Sequence, residues 1–578
     1  MDAVSDHVVV FGYHGLARRV VRQLVNAGQH VVVVDPEAST VAVNAFRHWG
    51  VEYLRGSGRS RETLIEASVT TARAVVCLKD DDLRNIESAM LVREMSPDVR
   101  IVVQMANSDV GRALQSIATP GAVIDVAELA SSAFVEAALN RTTHAVAMGG
   151  EDFLVDTVIA DRAGSLRGLW GDLAPIALQR KGEPAPTACP GRDEMVEPGD
   201  AITFIGTTTD YGTAGLEPRI HRSRRPRPSL RRRTREMFAA VADAVDRPFR
   251  IAFAVLIGLA VISVGVLTAL YEEPDGTRMN PLDAVYFTAE TLATVGFGDF
   301  YFRDQVPALR LWAVFLILVG ASLVALSTAL LTNALVSRRL AQSLGRQRMI
   351  RMRDHIVVVG LGSIGSKVAK DLRADGHEVV VIDGGAGQRL IPQMNAIGVP
   401  VLIGDATVRE TQTSVSLEHA AGVAILTSDD LLNIETGLAV RDVLERSDAP
   451  VVLRNYSHSL ARGVDRALDI GIARSPTELA APWFVGAAVG LDILGTFYVG
   501  STPFMAARVP VHAGGGLDGV VMEDLGVRAR VVAITRDGIG TQLEHPPRRL
   551  TVLGAGDSAY AIGEYEELLR LLHRATVA

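Results

Sequence analysis

The sequence predicts a mixed architecture: two Rossmann-like α/β domains, each with a small α/β C-terminal lobe, flanking an α-helical part that crosses a membrane twice. Three observations predict it. Two long segments carry no charge at all. The stretch His7–Asp35 returns 348 residues later as His355–Asp383. Each of these copies opens with an apolar run, a glycine-rich turn, a helical pattern and a second apolar run ending in Asp, the beginning of a dinucleotide-binding sheet. The expected division is a first Rossmann domain 1–140, its C-lobe 141–215, a basic linker 216–248, the membrane part 249–340, a linker 341–353, a second Rossmann domain 354–490 and its C-lobe 491–578.

Composition sets the class. The chain has 578 residues, 48% hydrophobic and 21% charged, so it is folded rather than disordered. A net charge of −8 gives no footprint for nucleic acid. Cys77 and Cys189 stand in no CxxC or Cys/His cluster, which indicates neither a zinc site nor a disulfide framework. The first residues show no basic, cleavable apolar leader, so no signal peptide is expected.

The first copy reads HVVVFGYHGLARRVVRQLVNAGQHVVVVD and the second HIVVVGLGSIGSKVAKDLRADGHEVVVID. The correspondence continues through Gly56 and Gly404, Asp82 and Asp430, and Asn85 and Asn433. After a two-residue slip, Glu128-Leu129-Ala130 matches Glu478-Leu479-Ala480. Glycines in such a turn let the backbone approach a pyrophosphate at a helix N-terminus, where amides and dipole favour an anion. An Asp closing the second strand suits ribose hydroxyls and repels a 2′-phosphate.

The copies differ. The second holds the full pattern Gly360-Leu361-Gly362-Ser363-Ile364-Gly365, with Asp383 behind it. Arg454, at the end of a later β run, is placed to reach phosphates, whereas the aligned Gln104 is uncharged. In the first copy, Gly12, Gly15 and Asp35 remain, but His14 replaces the second glycine and crowds a phosphate. A pH-sensing role for His14 is the alternative to simple packing. NAD(H) fits Asp383, and an adenine mononucleotide needs the same contacts, so the second copy is the expected ligand site. Strand-like, glycine-rich stretches from Glu151 to Gly206 and from about Ala506 to Gly554 form the small lobes.

Ile251–Leu270 and Leu311–Leu335 are uncharged over 20 and 25 residues. At ~1.5 Å per residue, each crosses a ~30 Å hydrocarbon layer. RSRRPRPSLRRRTR (Arg222–Arg235) precedes the first, and SRRLAQSLGRQRMIRMR (Ser337–Arg353) follows the second. The segment between them carries seven acids and only Arg278 and Arg303 as bases. This asymmetry puts both termini in the cytoplasm, with the arginine run against anionic membrane lipids.

Between the spans, Pro281 and Asp283 open a helix expected to end near Ala293, too short to span. Thr294-Val295-Gly296-Phe297-Gly298-Asp299 follows. An ion filter replaces a water shell with backbone carbonyls, and alternate glycines permit the dihedrals that aim them. Val295 and Phe297 are expected to pack backwards and hold the ring open. Phe297 stands where TVGYG has Tyr, and K+ is the expected permeant ion.

On these motifs the chain resembles the two-transmembrane potassium channels gated by RCK domains (regulators of potassium conductance, of TrkA-N/TrkA-C type). The resemblance implies a homotetramer whose four chains supply eight RCK domains around one pore. The order departs from the family's pattern, because one RCK copy precedes the membrane part. Gly404-Asp405-Ala406 is similar to the family's GDA turn near the adenine, where the first copy has Gly56-Ser57-Gly58. The resemblance further implies a proton shared between Glu290, behind the filter, and Asp299. Gly320 stands at the family's hinge position, although close helix packing explains a small residue there equally well. It also implies a divalent cation, Ca2+ or Mg2+, at Glu128 or Glu478, against the simpler reading of a helix-start acid. The expected function is a nucleotide-gated potassium channel in the plasma membrane, and not an enzyme. RCK copies that only scaffold assembly are one alternative, and a membrane-anchored NAD-dependent oxidoreductase is a remote one. Nothing beside the glycine-rich turns resembles a proton-transfer constellation, and an oxidoreductase leaves the filter unexplained.

Overall fold

The computed structural model describes residues 5–106, 111, 119, 122–183, 185–217, 247–273, 276–444, 447–455, 470–522, 525, 528–536 and 543–576. The arginine run at 222–235 lies outside them. The chain forms two compact units, one of Met1–Arg224 with Met349–Ala578, the other of Arg225–Arg348.

In the larger unit each Rossmann copy builds a six-stranded parallel sheet. Numbered along the chain, the strands lie in the order third, second, first, fourth, fifth, sixth. The first strands, Val8–Phe11 and His355–Val359, are buried throughout, as the unbroken valine and isoleucine runs require when helices cover both faces. The order reverses between the first and fourth strands, so the crevice at their C-terminal ends is where a ligand binds in such sheets.

Each sheet has one face with a core of its own, around Val9, Val75 and Val103 in the first copy and Val357, Val423 and Val451 in the second, and one face whose core the two copies share. Helix Val126–Ala138 of the first copy buries Ala130, Phe134 and Ala138 against Ile356, Val368 and Leu372 of the second. Helix Pro476–Val489 of the second buries Ala480, Phe484 and Ala488 against Val8, Val20 and Leu24 of the first. Each copy thus lends its last Rossmann helix to the other. Gly422 shows how tight the exchange is: a Cβ there meets the Ala138 carbonyl oxygen at 2.2 Å. This explains a glycine inside a buried strand.

The two C-lobes share a core as well. Each is a five-stranded antiparallel sheet, and Val146, Phe153 and Ile176 of one pack with Phe497, Phe504 and Ile562 of the other.

The smaller unit holds helices Arg247–Leu270, Pro281–Leu292 and the start of Pro307–Ile350, packed around Leu267, Phe287, Leu309 and Leu316. Among the described residues, Pro307–Leu326 is long and apolar enough to cross a membrane, and Ala254–Leu270 is a shorter apolar stretch. Val261 and Leu311 are 68% and 71% exposed. The long helix continues to Ile350, so the expected linker 341–353 is mostly helical. No proline interrupts it, and Arg, Leu, Ala and Gln are good helix formers.

Candidate functional site

The segment Thr294–Asp299 follows a helix that the local sequence terminates at both ends. The Asn280 side chain accepts from Leu282 N, Pro281 occupies the first turn, and Asp283 sits at its positive end. The helix stops at Leu292, capped by Ala293, as expected. Val295 N then donates to the Glu290 carbonyl at 2.9 Å, folding the chain back. From there, left-handed backbone recurs at every second residue: Thr294 has φ 57°, Gly296 60° and Gly298 83°. Alternating left- and right-handed residues turn successive carbonyls toward one side, the arrangement a dehydrating filter needs. Thr294 is the costly member, since a β-branched residue rarely adopts this region.

Several neighbouring expectations change. Asp299 does not meet Glu290; its Oδ2 accepts from Tyr286 OH at 3.2 Å. Glu290 is buried, with Oε2 lacking a hydrogen-bond partner. Val295 and Phe297 do not pack behind the filter within one chain, being 53% and 67% exposed. Gly320 lies within an unbroken helix, and a Cβ there meets Leu292 Cδ2 at 2.6 Å, so its small size seats the pore-helix end.

In the second Rossmann cleft, Gly360 has φ 96°, and a Cβ there lies 3.0 Å from Thr427 N, at the end of the fourth strand. Gly365 carries the tightest approach, 1.9 Å from its would-be Cβ to the Gly360 carbonyl oxygen. Around Gly362, by contrast, the space is open to 4 Å. Gly362 caps helix Ser363–Ala374, and a helix N-terminus with room for a ligand beside its cap suits an anion. Ile364 offers only its amide, because its side chain is buried in the core beneath the exchanged helix. The Asp383 carboxylate is 5% exposed and accepts three backbone amides: Leu361 N on Oδ1 at 2.7 Å, Gly385 N and Gly387 N on Oδ2 at 2.8 and 2.9 Å. A ribose has to share or displace these. Asp405 accepts Thr407 N and Thr407 Oγ1 in a local turn, and Ala406 is buried; Gly404 faces Thr411. Arg454 is 9% exposed, its Nη1 3.4 Å from the Leu426 carbonyl oxygen, and burial lowers its pKa to about 10.

In the first cleft, Gly12 has φ 95° and Gly15 begins helix Gly15–Asn26, with Ala17 in place of the third glycine. Here Asp35 accepts Tyr13 N, Glu37 N and, on Oδ2 at 2.6 Å, the Lys79 ammonium. Burial alone raises the Asp35 pKa, but the Lys79 hydrogen bond and the amides outweigh it, and the net shift is downward. His14 Nε2 lies 3.3 Å from Asp80 Oδ1.

Two structural features of the clefts have no motif in the sequence. One is Lys79. The other is an asparagine clamp: Asn85 joins Lys79 N, Lys79 O and Gln104 O, as Asn433 joins Thr427 and the Arg454 carbonyl. The only signal for the clamp was its repetition at matched positions.

The expected divalent site is not built. Glu128 pairs with Lys367 Nζ at 2.8 Å, and Glu478 with Arg19 Nη2 and Tyr498 OH, both at 2.8 Å. Lys367 and Arg19 are equivalent in the repeat, so the two pairs are reciprocal across the exchanged helices. A hard cation wants several free oxygens, and these carboxylates are already neutralised by cations. Among the described residues, no cluster of three or more His, Cys, Asp or Glu side chains is suited to a metal.

Comparison with known proteins matches the TrkA-N domain family at residues 8–124 and 356–471, and the Ion channel family at 252–337. The chain thus carries a segment that matches the Ion channel family between two segments that match the TrkA-N domain family. Potassium channel protein 1 of Methanocaldococcus jannaschii is 22% identical over 311 residues, covering 50% of this chain and 87% of that protein. The calcium-gated potassium channel TvoK of Thermoplasma volcanium is 24% identical, covering 48% of this chain and 80% of that one. An uncharacterized protein of Methanothermus fervidus is 26% identical, but the match spans only 28% of its length. Among solved structures, the GsuK channel bound to NAD is 15% identical at a TM-score of 0.49, covering 100% of this chain and 80% of that one.

Proposed function

We propose that this chain is one subunit of a homotetrameric, potassium-selective channel of the cell membrane, with both termini in the cytoplasm. Its regulatory ligand is NAD(H) or an adenine nucleotide, held at the second TrkA-N copy. The observation that carries the channel reading is the alternation of left-handed backbone at Thr294, Gly296 and Gly298, directly after a short capped helix. One chain supplies a quarter of a carbonyl ring, and the uncovered Val295 and Phe297 call for neighbouring subunits to back the filter. The potassium channels among its relatives support the same ion. In this reading residues 249–340 form the pore domain. Residues 1–140 and 354–490 are the paired sensors, and 141–215 and 491–578 their lobes.

The ligand assignment rests on the open space at Gly362 and on Arg454 and Asp383 at the same crevice. The Gly385 and Gly387 amides already gather on Asp383, so ribose binding there rearranges the 384–387 loop. A nucleotide biases the pore to the extent that it prefers one arrangement of the sensors. Tetramers reconstituted into bilayers test the reading. Expected are a reversal potential that follows the potassium gradient, block by barium, and loss of conduction in Gly296→Ala, whose Cβ is strained at φ 60°. Equal sodium and potassium permeability refutes it.

A further inference from the structure

Lys79 closes the first cleft from within. Its ammonium sits 2.6 Å from Asp35 Oδ2, at the acid that a ribose would engage. Its methylenes cross the glycine turn, with Cδ 3.1 Å from the Cβ position of Gly12, where a pyrophosphate would approach the backbone. Both ends of the residue are fixed: Asn85 bonds its backbone N and O, and the carboxylate holds its tip. His14 stands at the helix N-cap, beside Asp80. The second copy differs at each of these points. Thr427 replaces Lys79 and turns its hydroxyl to Asn433 Oδ1 at 2.6 Å. Asp383 accepts only backbone amides among the described contacts, and Gly362 replaces His14.

We propose that Lys79 is an internal ligand that occupies the first cleft, so that the chain binds one nucleotide, at the second copy, and the first copy serves as a fixed partner. A dinucleotide entering the first cleft has to pull an ammonium from a carboxylate that is 5% exposed and then meets His14 where a glycine should be. A cation beside an anion site can also act as a phosphate ligand. Here the aspartate holds that cation on the ribose side of the turn.

The inference rests on nucleotide binding at the second copy, and the test separates the two. Full-length tetramer in nanodiscs is titrated calorimetrically with NADH and with ADP. One site per chain is expected in the native protein, and none in Gly362→Asp. Adding Lys79→Thr and His14→Gly to Gly362→Asp is expected to create a site at the first cleft, tightening binding there by about tenfold or more. Two sites in the native chain, survival of the site in Gly362→Asp, or no binding to the opened first cleft overturns the proposal. If the native chain binds nothing while the opened variant binds, the plug stands and the second-copy reading fails. A measurement without variants guards against misfolding. Lys79 in the native tetramer is expected to stay protected from amine-reactive labelling when NADH is added, and a rise in its labelling on NADH addition contradicts the plug.

Discussion

The reciprocal ion pairs between the two copies make a quantitative prediction, because the repeat equates them and the burial separates them. Arg19 and Glu478 are 17% and 6% exposed; Lys367 and Glu128 are 30% and 46% exposed. Arg19→Ala strands a carboxylate that water barely reaches. Breaking a buried pair from one side costs ~3–5 kcal/mol, and the Tyr498 hydroxyl stays on Oε2, so about 3 kcal/mol is expected. Lys367→Ala leaves Glu128 free to rehydrate, so its loss is about 0.5 kcal/mol, as for exposed pairs. Trp483 lies on the same helix as Glu478, with its indole N–H on Thr496 Oγ1 at 3.2 Å, and reports the helix by fluorescence once Trp49, Trp170 and Trp312 are replaced by Phe. Urea unfolding followed by that signal should show a large midpoint shift for Arg19→Ala and a small one for Lys367→Ala. Adding Glu478→Gln to Arg19→Ala should recover part of the loss, since the amide carries no charge. Equal effects from the two substitutions refute the burial argument.

Other outcomes follow from single contacts. His545 Nε2 meets Asp210 Oδ2 at 2.9 Å and Nδ1 meets the Val532 carbonyl at 2.7 Å, tying the two C-lobes together. Burial lowers the His545 pKa, but Asp210, Val532 O and nearby Glu151 outweigh it, so it is raised. Asp210 is itself held at about 2, where burial pushes up but hydrogen bonds from His545 and Thr207 prevail. The histidine's contribution is therefore full below about pH 6.5 and lost as pH rises through its folded value, and the aspartate's is lost as pH falls from about 3.9. Thermal melts should show native protein losing stability between pH 6 and 8 more steeply than His545→Gln, and parallel curves contradict this. Gly422→Ala should destabilise by about 1–3 kcal/mol, because its Cβ lies 2.2 Å from a backbone oxygen with little room to move. Gly320→Ala should impair conduction, and Leu292→Ala should rescue it; an unrescued loss points to a hinge instead.

Much of the architecture is local and was therefore legible. Uncharged runs of membrane length, the glycine spacing of the turns and the filter, and the repeat of one domain opening all depend on neighbours a few residues apart. The copy asymmetry was visible at His14, and the structure adds Lys79 to it. A lysine after an apolar strand has no sequence signature, because its meaning depends on Asp35, which only the sheet order brings beside it. The sequence marks Asp383 as an acid suited to ribose hydroxyls, but the three amides it gathers come from loops whose path sequence spacing does not specify.

The sequence by itself determined the element types, the duplicated Rossmann openings, and the short helix with the alternating left-handed backbone that follows it, since each rests on periodicity or on backbone freedom at named glycines. Only the tertiary structure decided which helix covers which sheet. The segments Val126–Ala138 and Pro476–Val489 are apolar enough to cover either copy, and exchange was settled by close approaches such as Gly422 on Ala138. It also decided the fate of Glu128 and Glu478. An acid announces that it needs a partner but not which one, and Arg19 lies 459 residues from Glu478, a separation bridged only when both copies have folded against each other.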